Sequence, residues 1–255
     1  MSSIQTYLHN FAFNVYPYVC LAVFLMGSLA RFDRDQYTWK SDSSQMLRTG
    51  TLRWGSNLFH AGILFLFFGH FVGLLTPHWV YEPFITAGQK QMIAVTAGGI
   101  AGAICFVGLS LLLHRRLFDP RIRLTSHRTD IAILLILWVQ LVLGLVTLPF
   151  SFAHNDGNVM LLLSEWAQRI VTFRPDASLL VAVDWPFKLH LVLGMTIFLL
   201  FPFSRLVHVW SGFATVAYLF RPHQMVRSRR LNLPAGHNQP RQPGAPPQTP
   251  YTDAF

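Results

Sequence analysis

The sequence predicts an all-α integral membrane protein of five transmembrane helices, its N-terminus outside (periplasmic) and its C-terminus cytoplasmic. Three observations predict it. Apolar residues gather in five blocks, 10–30, 57–76, 92–113, 131–150 and 187–209, and at about 1.5 Å of rise per residue each reaches across a hydrocarbon core of about 30 Å. Charged residues make up only 12% of the chain and hydrophobic ones 52%, whereas a soluble domain carries about 25% charged residues. Lys and Arg, finally, are concentrated in alternate connections between the blocks.

Block one contains Pro17, and no Lys or Arg precedes it. A cleavable secretory signal starts with a positive region, so no cleavage is expected. The next connection holds Arg31, Arg34, Lys40, Arg48 and Arg53. Block two carries His60 and His70, with Gly69 and Gly73 around the second. A short connection with Lys90 as its one cation leads to block three, where Gly98 and Gly102 repeat the G-x-x-x-G spacing. Small residues so spaced let helix backbones pack closely; the pair around His70 also leaves room for a flat ligand.

Arg115, Arg116, Arg121, Arg123 and Arg128 separate blocks three and four. Arg169, Arg174 and, at its edge, Lys188 separate four and five, and six Arg occur from Arg205 onward. Alternate connections thus hold 5, 5 and 6 cations against 1 and 3. The richer side is read as cytoplasmic.

Two segments lie outside the blocks. Within residues 151–186, Val159, Leu162, Leu163, Trp166, Ile170 and Phe173 recur at helical spacing, which predicts an amphipathic helix at the outer interface. Asn155, Asp156 and Asn158 offer caps for its start. Residues 227–255 are polar and rich in Pro and Gln, and are predicted to form a disordered cytoplasmic tail after a domain spanning 1–226.

The net charge of +9 does not indicate nucleic-acid binding, because the cations sit at the ends of apolar blocks. Cys20 and Cys105 are too few for a cluster held by four thiolates, and no C-x-x-C-H occurs for covalent haem attachment.

Histidines carry the chemistry. Of eleven, His60, His70, His190 and His208 lie inside or at the ends of spans, where ionisable groups are costly and mark function. Two helices with two imidazoles each suit two b haems, every iron held from both faces of its ring. Helix direction sets the pairing. Block two runs outward and block five inward, so His60 pairs with His208 at the inner level and His70 with His190 at the outer. His190 and His208 are 18 residues apart and share a helix face; His60 and His70, 10 apart, point about 80° away from each other. On straight helices the axial separations are about 27 Å and about 15 Å, a mismatch left for tilted helices and oblique haem planes to absorb, with Pro202 as a bend. A structural zinc site needs about four ligands at one point, which these spread histidines do not offer. His9, His78, His154, His114, His127, His223 and His237 are read as solvated surface groups.

The segments SNLFHAGIL (56–64), GHFVGLLTPHW (69–79), RRLFDPR (115–121) and LHLVLGMTIFLLFPFSRLVHVW (189–210) resemble the gamma, or cytochrome b, subunit of membrane-bound respiratory nitrate reductase. YPY (16–18) and QYTW (36–39) fit as well. The resemblance covers about 10–230. It implies five spans, an outer N-terminus, two b haems on the same histidine pairs, and placement in a bacterial inner membrane. It also implies two cytoplasmic partners, an iron–sulfur beta subunit and a molybdenum-containing alpha subunit. Quinol, menaquinol or ubiquinol, is then oxidised near the outer haem. Electrons pass inward to the partners and protons are released outside, against about 2.3 kcal/mol per 100 mV for each charge moved. The family's quinol-site lysine falls on Lys90, with Gly69 and His70 lining the same site; from its position alone, Lys90 is equally a snorkelling helix-end cation. Arg116 and Arg205 are candidate partners of inner haem carboxylates, and surface anchoring explains them as well.

Rival readings are a cytochrome b subunit of a formate dehydrogenase or hydrogenase, a haem-free structural anchor, and a transporter. The four in-span histidines speak against the anchor. The lack of an internal repeat or of paired broken helices speaks against the transporter.

Overall fold

The computed structural model describes residues 3–35, 39, 50–153 and 156–211. These all belong to one compact unit, Met1–Ala214. The predicted tail 227–255, with His154, His223 and His237, lies outside the described residues.

Among the described residues there is no strand, and five helices are long and apolar enough to cross a membrane. The first four are longer than the apolar blocks and the fifth is shorter. The first, Ser3–Arg34, comprises α1 (Ser3–Asn10), a π-helical turn (Phe11–Val15) and α2 (Tyr16–Arg34). The π turn ends two residues before Pro17, which has no N–H to give the preceding turn and whose ring crowds the carbonyl of residue 13; widening the turn relieves both problems. The second is α3 (Gly50–Leu75), the third α5 (Ala87–Phe118) and the fourth α7 (Arg128–Ala153). Hydropathy placed these three at 57–76, 92–113 and 131–150. The 26 residues of α3 rise about 39 Å, so the helical ladder continues through the polar ends into the interface.

The fifth span departs most from expectation. Block five was read as one span over 187–209. The α-helix α9 instead ends at Leu200, and two 3₁₀ turns follow, Phe201–Phe203 and Arg205–Val207. The candidate span is Trp185–Phe203, and His208 lies beyond it. Pro202 cannot extend the ladder, and Ser204 is extended (φ −121°, ψ 174°), so the chain changes direction before His208.

Short elements close the ends. α4 (His78–Tyr81) bridges α3 and α5. α5 opens with a capping box, in which Thr86 Oγ1 accepts from the Gln89 N–H (3.2 Å) and Gln89 Oε1 from the Thr86 N–H (2.9 Å). α6 (Pro120–Thr125) starts at Asp119, whose carboxylate accepts from the Arg121 N–H.

The amphipathic segment forms α8 (Asn158–Val171). Trp166 and Ile170 are buried with Phe13, Leu180, Val183 and Phe187, and Trp166 Nε1 donates to the Phe13 carbonyl (3.0 Å). Its N-cap is Gly157 rather than any of the three expected residues; Asp156 Oδ1 accepts from the Asn158 N–H just inside. Gly157 has φ +84°, and a Cβ there would lie 2.7 Å from Ala87, so only glycine fits. Phe173, expected on the buried stripe, is 80% exposed. It leaves the helix at φ +58° and stacks on Tyr18 instead.

Helix packing runs in the order α3, α5, α7, α9, α2. α3 and α5 form the most extensive contact, and glycine makes it possible. A Cβ on Gly62 would lie 2.6 Å from Cys105 Cβ and 2.8 Å from the Ala101 carbonyl; one on Gly108 would collide with the Phe59 backbone nitrogen. The packing glycines are therefore Gly55, Gly62 and Gly108. Of those expected, Gly102 meets Leu145 of α7, while Gly69, Gly73 and Gly98 have no described atom within 4 Å of an added Cβ. α3 and α9 share no packed interface among the described residues. What lies between them is the site.

Candidate functional site

α3 faces α9, and the segment just beyond its end, through imidazoles. His60 and His208 have ring centres 6.5 Å apart, and His70 and His190 6.1 Å apart. The straight-helix mismatch does not arise, because the turns at 201–207 redirect the chain ahead of His208.

The four rings are held in a common way. His60 Nδ1 donates to the Ser56 carbonyl (2.7 Å), His70 Nδ1 to the Leu66 carbonyl (2.7 Å), His208 Nδ1 to the Arg205 carbonyl (2.6 Å) and His190 Nδ1 to the Gln140 carbonyl (3.2 Å). A carbonyl only accepts, so each Nδ1 carries a proton, and a ring in its neutral form keeps the lone pair on Nε2. In α3 this follows from local sequence: each histidine reaches the carbonyl one turn back.

This donor set fits a metal held from two opposite sides. With metal–imidazole bonds of about 2 Å, two rings on one iron have centres roughly 6 Å apart. The Nδ1–carbonyl bond is the usual outer support of a ligating histidine. No group of three or more metal-ligating side chains occurs among the described residues, so a site made of protein ligands alone, such as structural zinc, is not what the pairs offer. Room for a flat group exists beside His70, where Gly69 and Gly73 have open space.

α7 supplies residues not singled out from sequence. The Gln140 carboxamide donates to the His190 carbonyl (3.0 Å) and lies 3.4 Å from His190 Nε2. It must swing off that nitrogen for Nε2 to face a metal. A Cβ on Gly144 would come within 3.0 Å of His190 Cε1, so glycine admits the ring there. Gln140 was visible as the only amide in block four; its direction was not.

Lys90 reaches the last turn of α3. Its ammonium donates to the Gly73 carbonyl (3.0 Å) and stands 3.9 Å from the centre of the Tyr81 ring. Gly73 is three residues past His70, about 4.5 Å of helix rise. Gln168 of α8 binds the neighbouring carbonyls of Leu74 and Thr76, so side chains satisfy the Gly73 and Leu74 carbonyls in the last turn of α3.

At the other end, Arg116 and Arg205 converge on a protein carboxylate. Asp130 Oδ2 lies 3.2 Å from Arg116 and 3.9 Å from Arg205, and both Asp130 and Arg116 are buried. Of the remaining histidines, half-buried His9 is not a plain surface group, for it bonds the Ala177 carbonyl (2.8 Å), whereas His78 is exposed beside the Glu82 carboxylate (3.3 Å).

Five apolar helices, with imidazoles of the second facing one in the fifth and one just beyond it, define a multi-pass membrane protein. Residues 9–229 match the family model described as nitrate reductase gamma subunit. The chain is 54% identical over 224 residues to respiratory nitrate reductase 1 gamma chain of Escherichia coli K12, covering 88% of this chain and 99% of that one. It is 54% identical over 226 residues to the nitrate reductase 2 gamma chain of the same organism, with the same coverage. Identity to the nitrate reductase gamma chain of Bacillus subtilis 168 is 38% over 216 residues, 84% of this chain and 96% of that one. The chain belongs to the nitrate reductase gamma subunit family.

Proposed function

We propose that this chain is the quinol-oxidising dihaem cytochrome b subunit of a respiratory nitrate reductase. It anchors the beta and alpha subunits to the cytoplasmic face of a bacterial inner membrane and delivers electrons inward to them, with protons released outside. The observation that carries the reading is the pair of imidazole couples at 6.1 and 6.5 Å, all four rings donating from Nδ1 to a carbonyl.

His60 with His208, and His70 with His190, hold one haem b each. Bound haem supplies reversible one-electron chemistry inside the bilayer. The chain's own part is to orient the imidazoles, to keep water from them, and to bind quinol at the outer end. Lys90 is the quinol-binding group. An ammonium has three N–H donors and no acceptor, so one stays on the Gly73 carbonyl and another meets a quinol oxygen. Gly69 and His70 line that site, Gly69 by leaving space. The Lys- and Arg-rich connections lie on the cytoplasmic side.

The test is the visible spectrum of the purified chain with its partners. Two b-type, bis-histidine haems per chain are expected; a colourless protein sinks the reading and leaves an anchor. Lys90→Ala is expected to raise the KM for quinol roughly tenfold, an estimate from the loss of one charge-assisted hydrogen bond, with haem content unchanged. A quinol titration of nitrate reduction measures it.

A further inference from the structure

The inner pair is built on a broken helix, and the break is braced from two sides. Beyond Leu200 the chain passes through two 3₁₀ turns joined at extended Ser204. Such a break frees carbonyls and leaves the direction of the next side chain weakly determined. His208 follows at once, yet its ring centre stands 6.5 Å from that of His60.

Arg31 of α2 grips the break itself. Its Nη1 donates to the Pro202 carbonyl (2.7 Å) and to the Ser204 carbonyl (2.8 Å). One turn earlier, Gly27 lets the proline seat against α2, for a Cβ there would come within 2.8 Å of Pro202 Cγ. From α7, Asp130 faces Arg205 (3.9 Å), with Arg116 of α5 on the same oxygen (3.2 Å). The Arg205 carbonyl in turn accepts the His208 Nδ1–H (2.6 Å). The residue that Asp130 faces through its side chain therefore supports the imidazole through its backbone. His190 has a different arrangement: it sits inside unbroken α9 and bonds Gln140 of α7.

The geometry points to Arg31 and Asp130 as positioning residues for His208: they fix the turn 201–207 and with it the distance and angle at which the inner imidazoles face each other. This rests on reading the histidine pairs as axial ligand sets. The predicted consequence is selective. Disturbing the clamp alters the inner haem and spares the outer one.

The experiment uses the full complex in membranes. The inner and outer haem signals are assigned with His60 and His70 replacements. Asp130→Asn and Arg31→Gln are then compared with Arg31→Lys, which keeps donors for the two carbonyls. Removing outer support of a ligand weakens metal binding by roughly 10–100-fold. Asp130→Asn and Arg31→Gln are therefore expected to lower inner haem retention by about that factor, or to shift the potential and spectral line of what remains, with the outer haem as in the parent. Arg31→Lys is expected to recover the inner signal. Parental inner signals in both disruptive variants overturn the proposal, and so does equal loss of both haems with no rescue by Arg31→Lys. Amide hydrogen exchange supplies a readout that needs no haem: residues 204–208 should exchange faster in Asp130→Asn while α9 is unchanged, and unchanged exchange at 204–208 also overturns it. A parent without haem refutes the proposed function, and the exchange measurement still decides the clamp.

Discussion

Replacing His70 with leucine is expected to remove the outer haem, leave the inner one in place, and lower quinol-driven nitrate reduction by roughly a hundredfold or more, since even loss of a ligand's outer support costs 10–100-fold. The selectivity follows from the geometry. His70 faces His190, while His60 and His208 form a separate couple with their own carbonyl partners. His70 projects from an exposed stretch of α3, and its Nδ1 bond is to the Leu66 carbonyl of the same helix. Leucine retains the apolar character and good helix propensity of that stretch, so the fold should survive. Haem content per chain, a redox titration and the quinol-dependent rate together check it. Retention of both haems refutes the outer pairing; loss of both indicates that the pairs are not independent.

Gly108→Leu is expected to have the largest effect on assembly. A Cβ at 108 would meet the Phe59 backbone nitrogen, and it would lie 2.9 Å from both the Gly55 carbonyl oxygen and the Leu58 carbonyl carbon. All are backbone atoms of α3, so no rotamer change relieves the clash and α3 must move off α5. Overpacking costs about 1–3 kcal/mol where side chains can adjust; against backbone, about 3 kcal/mol or more is expected. His60 is one residue from Phe59, so displacing α3 separates it from His208, and His70 on the same helix moves as well. Both haems should fall together, in contrast with the single loss from His70→Leu. Thermal denaturation of the purified complex and its haem content measure this, and assembly at parental stability and haem content would refute the packing argument. Gly108→Ala should fall between the two.

These predictions show what was readable in one dimension. The G-x-x-x-G spacings at Gly69/Gly73 and Gly98/Gly102 were plain in the sequence, yet the closest approaches of α3 and α5 use Gly55, Gly62 and Gly108. Spacing tells which residues share a helix face. Which face meets a neighbour depends on the rotation of two helices, and an almost uniformly apolar helix carries no periodic polarity to set it. Gln140 could be noticed for its amide, but that it sits beside His190 needed the α7–α9 contact. Arg116 and Arg205 were visible as cations near an inner site; that both face Asp130 depends on where three segments end.

The sequence by itself determined the number of spans and singled out the four imidazoles, because hydropathy and residue identity are local properties that survive without coordinates; that His208 lies beyond the last span was not among them. It also constrained which histidines lie at the same depth, since consecutive spans run in opposite directions. Only the tertiary structure decided the ring separations, the carbonyl that holds the His190 Nδ1, and the end of the last span at Phe203. Those depend on hydrogen bonds between residues as far apart as Arg31 and Ser204 or Gln140 and His190, and a helical pattern read along one segment contains nothing about the partner that arrives from another.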